Sequence, residues 1–174
     1  MSDTIPEFGT KRENEERRDG GCGVVFNPVS QKYAVVKHAD NDLLILISGG
    51  VNAEENIEKG VLREVTEESG LHDFLYVEKI AEAMTHYYNF LKNLNRVAKA
   101  TCLLIILKSM DLKETHLEAH EKFTLLWVTA EEIFANWQSH NENKDHDHWI
   151  YFLKKAVTRA KELGYDTTSI LSPI

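Results

Sequence analysis

The sequence lacks the excess of positive charge that broad nucleic-acid binding or docking on an anionic membrane requires. Its 174 residues include 20 Lys and Arg against 28 Asp and Glu, which gives a formal net charge of −8. Both kinds of partner need a basic surface, so we expect neither nucleic acid nor a membrane as a partner. Polyanionic small molecules stay possible, provided that a metal ion supplies the positive charge.

Cysteines and long apolar runs are also scarce. The two cysteines, Cys22 and Cys102, each lie in an apolar stretch. This placement is typical of buried free thiols in a reducing cytosol, although sequence alone leaves a disulfide open. The longest apolar run, residues 103–107, is far too short to span a bilayer. The first ten residues show no basic segment followed by an apolar one, so we expect no signal peptide and a cytoplasmic location.

The length suits one domain with a proper core. Residues 1–19 are polar and rich in charges of both signs, which predicts a flexible arm, a first edge strand or a substrate-facing arm. In the last case Arg17 and Arg18 would meet phosphate. Residues 20–174 are expected to form a single domain.

Short apolar runs rich in β-branched residues alternate with turn-like segments from Gly20 onward, and the helical period appears later. The predicted strands cover residues 22–26, 33–38, 42–47, 75–88, 98–107 and 123–128. The predicted helices cover residues 56–69, 130–138 and about 148–163. Strands that enclose one early helix and precede two late ones indicate an α/β (α+β) domain with a mixed sheet.

The first helix carries an unusual cluster of carboxylates. Asn56 is a plausible N-cap and Gly70 a plausible C-terminal glycine. On a helical wheel, Glu64 and Glu68 lie at the edge of the apolar face, with Glu67 just beyond. Clustered carboxylates repel each other unless a cation joins them, and hard ions such as Mg²⁺ favour oxygen ligands. A solvated acidic face is the alternative.

Gly60 lies on the same side of this helix as the glutamates. A glycine inside a helix costs about 1 kcal/mol relative to alanine. We therefore expect it to let a loop or a ligand approach the helix closely.

The stretch from Gly49 to Leu71 resembles the Nudix box, G-x5-E-x7-R-E-U-x-E-E-x-G-U, where U is aliphatic. The matching residues are Gly49, Glu55, Arg63, Glu64, Val65, Glu67, Glu68, Gly70 and Leu71, without gap or mismatch. The resemblance implies an α/β/α sandwich around a mixed sheet. It also implies a metal-dependent pyrophosphohydrolase that cleaves a nucleoside diphosphate linked to another group X, with Mg²⁺ or Mn²⁺ as cofactor.

The resemblance also assigns roles to particular residues. Expected metal ligands are Glu64, Glu68 and Glu67, together with the turn at Ser48 and Gly49. Glu67 is the first choice for the base that deprotonates or positions water, with Arg63 beside it. In some branches of the family a distant loop glutamate is the base, which makes Glu118 and Glu121 candidates. Lys37 and His38 are candidates for binding the substrate phosphates.

Several aromatic and imidazole side chains stay open between two interpretations. Tyr87 and Tyr88 either stack on a base or pack in the strand. His146 and His148 form a run with two aspartates that suggests a metal site, but without a fixed ligand geometry we expect surface histidines.

The box specifies the chemistry but leaves the group X open. A Nudix-fold sensor module that binds a nucleotide without turnover is one alternative, although such modules usually lose box glutamates. A dinucleoside-polyphosphate or diphosphoinositol-type hydrolase is another, and ADP-ribose, nucleotide sugars and nucleoside triphosphates also stay open. We expect a small nucleotide-type pyrophosphate as the partner, and a homodimer is a mild expectation.

Overall fold

The computed structural model describes residues 4–169, which form nine strands in one mixed sheet and three helices. The strands are β1 (Glu7–Gly9), β2 (Glu16–Arg17), β3 (Gly20–Asn27), β4 (Lys32–His38), β5 (Leu44–Ile45), β6 (Ile47–Gly50), β7 (Phe74–Asn89), β8 (Leu94–Leu107) and β9 (Phe123–Val128). The helices are α1 (Ile57–Ser69), α2 (Ala130–Ser139) and α3 (Asp147–Glu162). The predicted mixed α+β class is confirmed.

Strands β3 and β8 form the centre of the sheet and pair in parallel, from Gly20 opposite Ala100 to Phe26 opposite Ile106. β7 and then β1 extend the sheet beyond β8, while β4 and β5 extend it beyond β3. The first half of β3 also pairs with β6. Their apolar side chains make one continuous core, with Val24, Val25 and Phe26 fully buried.

Helices cover both faces of the sheet. On one face α1 approaches so closely that a Cβ atom at Gly21 would stand 2.5 Å from Val61 Cγ2. Because side chains alternate along a strand, Cys22 faces the opposite side. On that side Thr85 of β7 contacts His148 of α3. The result is the α/β/α sandwich expected from the resemblance.

The ends of α1 follow the signals in the sequence. The Asn56 side chain accepts a hydrogen bond from the Lys59 backbone N–H, and Gly70 ends the helix in the left-handed conformation at φ 80°. Gly60 makes room for a loop: a Cβ there would stand 2.8 Å from Glu55 Oε1 and 2.9 Å from Val51. The loop that carries Val51 and Glu55 therefore takes the space that the missing side chain leaves.

Two predicted details need correction or completion. The single strand expected at residues 42–47 is divided at Leu46, because β5 pairs with β4 whereas β6 pairs with β3. The cysteines are buried free thiols, as expected, although Cys22 and Cys102 are register partners.

The described part of the N-terminal arm contributes strands. β1 pairs in parallel with β7 at the edge of the sheet, and β2 pairs with β8. Arg12 also bonds Asp145, with 2.7 Å between Nη2 and Oδ1. Residues 1–3 of the arm and the last five residues of the predicted domain lie outside the described residues. In the described part of the chain no helix is long and apolar enough to cross a membrane.

Candidate functional site

A cavity of about 380 Å³ opens between the C-terminal half of α1, the loop before β9, the β7–β8 hairpin and the start of α3. It brings together most of the residues that the sequence singled out. These are Ser48, Gly49, Arg63, Glu64, Glu67, Glu68, Glu118 and Glu121. Residues that lie 70 positions apart in the chain thus face the same space.

Arg63 organises the carboxylates of α1. Its guanidinium group donates two hydrogen bonds to Glu55, with N–O distances of 2.9 and 3.0 Å. Its Nη1 atom donates to both Glu64 Oε1 and Glu67 Oε2, each at 3.1 Å. Bidentate contacts of this kind fix the position of both partners. Arg63 therefore holds Glu67 in a defined place at the rim of the cavity.

Glu64 and Glu68 are the more buried carboxyl groups of the cluster. Burial raises the pKa of Glu64, and the neighbouring Arg63 opposes that effect. Glu68 is only 5% exposed, and burial, followed by the nearby Glu121 carboxyl group, raises its pKa well above the ordinary value. The Ser48 backbone N–H acts in the opposite direction. Glu64 thus shares Arg63 with two other carboxylates, and Glu68 stands where burial and a neighbouring carboxyl group disfavour its negative charge.

The loop that carries Glu118 and Glu121 is tied to α1 by backbone contacts. The His116 N–H donates to the Glu67 carbonyl at 2.8 Å, and the Glu118 N–H donates to Glu121 Oε1 at 2.9 Å. Glu118, His120 and Glu121 each offer one ligand atom, and these atoms lie within 4.8 Å of one another. Because Glu121 also lies beside Glu68, this loop group meets the carboxylates of α1 at one end of the cavity.

Gly49 and Gly50 form the wall beside these carboxylates. A Cβ at Gly49 would stand 2.2 Å from the Glu64 carboxyl carbon, and one at Gly50 would stand 2.3 Å from Arg18 Nε. Unlike Arg17 and Arg96, which pair with Asp19 and Glu16, Arg18 forms no ion pair within residues 4–169. Within the described residues the cavity wall thus carries a guanidinium group without an ion-pair partner.

Lys37 and His38 do not line this cavity, contrary to the expectation that they bind substrate phosphates. The Lys37 ammonium group pairs with Asp42 at 3.4 Å. His38 is buried, and its Nε2 atom lies 2.9 Å from the His120 carbonyl oxygen. Its position indicates a supporting role for the loop that carries His120.

The histidines of the aspartate-rich run are not surface residues. His148 is 6% exposed and His146 is half-buried, and both line the cavity. Burial lowers the pKa of His148 to about 3, with His146 acting in the same direction. Tyr87 and Tyr88 line the cavity as well. Tyr87 packs against His148, and stacking on a base stays a prediction for both tyrosines.

Arg96 and His120 are cavity residues that the sequence reasoning did not single out. Arg96 is buried on β8 and reaches the cavity because β8 crosses the centre of the sheet. His120 stands between the two loop glutamates that were considered. The only local signal for His120 as a site residue is its position between Glu118 and Glu121 in the segment HLEAHEKF.

The donor set is chemically suited to a divalent cation. Buried carboxylates that face one another repel unless a cation joins them, and carboxylate oxygens are the preferred ligands of hard divalent ions. Because Gly49 has no side chain, the Glu64 carboxylate has room in the cluster, where a methyl group at residue 49 would collide with it. The chain thus has an acidic site that fits a divalent metal.

The comparison with known proteins agrees with this geometry. A family model described as the NUDIX domain matches residues 17–156. No curated protein matches the chain. Among solved structures, a protein of Listeria monocytogenes described as a NUDIX hydrolase has a TM-score of 0.61 at 23% identity, over 87% of this chain and 99% of that chain.

Two further structures share the fold at lower identity. The NUDIX domain of Shewanella oneidensis NrtR, complexed with ADP-ribose, has a TM-score of 0.58 at 13% identity, over 86% of this chain and 90% of that chain. A structure from a study of MutT from Aliivibrio salmonicida and Vibrio cholerae has a TM-score of 0.52 at 16% identity, over 83% of this chain and 99% of that chain. With the family model spanning most of its length and Gly49, Arg63, Glu64, Glu67 and Glu68 of the box lining one cavity, the chain belongs to the Nudix family.

Proposed function

We propose that this protein hydrolyses a phosphoanhydride bond in a nucleoside diphosphate linked to another group, with Mg²⁺ or Mn²⁺ as its cofactor. The observation that carries the proposal is the convergence of Glu64, Glu68 and Glu121 in a cavity that Arg18, without an ion-pair partner within residues 4–169, also lines. A pyrophosphate bears charge that cations must neutralise. A metal ion held by the carboxylates and the guanidinium group of Arg18 would together provide the positive charge that a pyrophosphate needs.

The metal would be held by Glu64, Glu68 and Glu121, with Glu67, Glu118 and His120 close by and the Ser48–Gly49 backbone at the wall. When bound, it would neutralise phosphate charge and lower the pKa of a coordinated water.

Other residues of the chain bind and orient the reactants. Glu67 is our proposed base, because Arg63 holds its carboxylate at the cavity rim while the side chain stays about one-third exposed. A carboxylate within reach of solvent can accept a proton from water and release it again. Glu118 and Glu121 are the alternative bases. Arg18 would bind a phosphate oxygen, the role first expected of Lys37 and His38, which do not line the cavity.

The direct test is turnover on a panel of pyrophosphate compounds. ADP-ribose, a nucleotide sugar, a dinucleoside polyphosphate, nucleoside triphosphates and a diphosphoinositol phosphate are each incubated with Mg²⁺ or Mn²⁺, and the products are separated by ion-exchange chromatography. We expect release of a phosphomonoester from at least one nucleotide, and none in the presence of EDTA. The Glu64→Gln/Glu68→Gln double variant serves as the matched control.

A nucleotide-binding module without turnover is the second candidate. The likeness to a Nudix domain complexed with ADP-ribose favours it, while the complete set of box glutamates favours the hydrolase. If the protein binds ADP-ribose tightly but forms no product from any compound of the panel, it is a nucleotide-binding module and the hydrolase proposal is wrong.

A further inference from the structure

The two cysteines of the chain lie side by side at the centre of the sheet. Cys22 of β3 and Cys102 of β8 are register partners on adjacent parallel strands, so their side chains extend from the same face. Burial, followed by a hydrogen bond with the Cys22 thiol, raises the pKa of Cys102 well above its ordinary value. Since the chain has no further cysteine, a disulfide within it can join only these two.

The two positions fit a disulfide at the short end of its usual range. Register partners on neighbouring strands are about 4.8 Å apart, and disulfides usually join Cα atoms that are about 4.4–6.8 Å apart. A bond between such close positions is strained, and strained disulfides are more easily reduced than ordinary structural ones. The pair is therefore suited to a reversible bond rather than a permanent one.

The cavity gives a small oxidant a path to one of the two thiols. Cys22 lines the cavity and is 3% exposed, whereas Cys102 is fully buried. A molecule of the size of hydrogen peroxide can therefore meet Cys22 without unfolding of the sheet. A cysteine of a second chain has no such access, so the arrangement favours a bond within one chain.

Oxidation of the pair proceeds in two balanced steps. The Cys22 thiolate attacks one oxygen of hydrogen peroxide, which breaks the O–O bond and leaves a sulfenic acid on Cys22. The hydroxide that departs takes up the proton that the thiol has lost. The Cys102 sulfur then attacks the Cys22 sulfur, and the sulfenic hydroxyl group leaves as water with the Cys102 proton. Two thiols and one peroxide thus give one disulfide and two water molecules.

A shift of the backbone at Cys22 is transmitted to the helix that carries the glutamates. A Cβ atom at Gly21 would stand 2.5 Å from Val61 Cγ2, and one at Gly23 would stand 2.7 Å from Val65 Cγ2. Helix α1 therefore packs on the backbone at both neighbours of Cys22, with no side chain of β3 between them. Because close-packed interiors transmit strain, movement of β3 toward β8 displaces α1 and its carboxylates.

We propose that Cys22 and Cys102 form a modification site for hydrogen peroxide, at which a reversible disulfide weakens metal binding by the carboxylate cluster. The formation of the bond is independent of the proposed function. Its effect on the cluster rests on the proposed function, because it requires that α1 hold a divalent metal. The oxidised protein is then the less active form, and a thiol such as glutathione restores the reduced one.

The first measurement identifies the bond. The native full-length protein is incubated with hydrogen peroxide, alkylated with iodoacetamide under denaturing conditions, and digested without reductant for mass spectrometry. We expect the peptides that carry Cys22 and Cys102 to be joined in most molecules, and to separate again after treatment with glutathione. If both thiols stay free to be alkylated after the incubation, or if the bond joins two chains, the proposal is wrong.

The second measurement follows the binding of Mn²⁺ alone by electron paramagnetic resonance, which detects the free ion. Groups that support metal ligands contribute about 10- to 100-fold to metal affinity. We therefore expect the oxidised protein to bind Mn²⁺ about tenfold more weakly than the reduced protein, with recovery after reduction. Cys102→Ala is the matched control, because it keeps the thiol at the cavity but cannot form the bond. Its affinity for Mn²⁺ should not respond to peroxide.

Two outcomes of the second measurement would overturn the coupling between the bond and the metal. One is an affinity for Mn²⁺ that stays the same when the disulfide forms, and the other is an equal loss of affinity in Cys102→Ala. If Cys102→Ala fails to fold, Cys22→Ser at the cavity wall takes its place. A reduced protein that binds no Mn²⁺ would refute the coupling together with the proposed function, whereas the mass spectra decide the disulfide by themselves.

Discussion

The carboxyl carbon of Glu64 stands 2.2 Å from the point where a side chain of residue 49 would begin. Gly49→Ala should therefore push Glu64 out of the cluster. A displacement of about 1 Å at a catalytic group costs on the order of 100-fold in rate, and we expect kcat to fall by that much. The measurement is steady-state turnover of the best substrate of the panel.

Gly50→Ala is the comparison for this variant. Its new methyl group would meet the flexible side chain of Arg18 at 2.3 Å rather than a carboxylate of the cluster. We expect KM to rise with kcat largely retained. If Gly49→Ala keeps full kcat, Glu64 does not need the position seen here.

Arg18 should contribute to binding of the substrate phosphates. A hydrogen bond to a charged group contributes about 1.5–3 kcal/mol, so Arg18→Ala should weaken binding of α,β-methylene ADP about 10- to 100-fold. Arg18→Lys should recover part of the loss, because it keeps the charge but loses the planar fork. Arg17→Ala, which removes an exposed pair with Asp19, should leave the affinity unchanged. Equal effects at both arginines would show a general loss of charge instead.

The choice of base can be decided by three conservative variants. Glu67→Gln should lower kcat by about 10²- to 10⁴-fold if Glu67 accepts the proton, while circular dichroism shows an intact fold. Glu118→Gln and Glu121→Gln should have smaller effects. Retained activity in Glu67→Gln together with a large loss in one of the loop variants would move the base to the loop.

His86 should make the stability of the protein depend on pH. Its Nδ1 atom lies 2.6 Å from Glu15 and its Nε2 atom 2.7 Å from Glu7. Although burial opposes it, hydrogen bonds that the imidazole donates to both carboxylates raise the pKa of His86 above 6.5. Its contribution is therefore complete below pH 6.5 and is lost as the pH rises through the higher folded-state pKa.

The hydrogen bond with His86 also lowers the pKa of Glu7 below its ordinary value of 4.5. The stabilisation that depends on the charged Glu7 carboxylate is therefore lost as the pH falls below 4.5. The difference in the free energy of unfolding between the wild-type protein and His86→Gln should thus be largest between pH 4.5 and pH 6.5. Urea denaturation followed by tryptophan fluorescence, at about pH 5.5 and about pH 9, measures it. Thr129→Ala removes the capping box of α2 at a cost of about 1 kcal/mol, and its effect should stay constant over this range. If the difference in the free energy of unfolding for His86→Gln is also the same at both pH values, His86 does not link stability to pH.

Most of the features that the sequence predicts correctly depend on residues close together in the chain. The bounds of α1 follow from Asn56 and Gly70, and its carboxylates from their spacing, because both depend on residues within a few turns of one helix. For Gly60, a glycine inside a helix predicts the close approach of a loop or a ligand, whereas only the structure identifies Val51 and Glu55 as the residues that approach.

The positions of residues that depend on pairing between distant strands could not be predicted from the neighbouring sequence. Arg18 and Arg96 reach the cavity through the pairing of β2 with β8. His148 looked like part of a polar run, yet the helix that begins there turns it onto β7 and buries it. Lys37 was assigned to phosphate by its place at the end of β4, whereas its actual neighbour is Asp42.

The parallel pairing of β3 with β8 has a consequence for the time course of folding. Gly20 meets Ala100 across 80 positions of chain, and contacts between segments so far apart slow folding because loop closure comes before the stabilisation that it allows. Both residues of this pair line the cavity. A nascent chain therefore has no place for the substrate until β8 has been synthesised, even though the helix with the glutamates is complete long before.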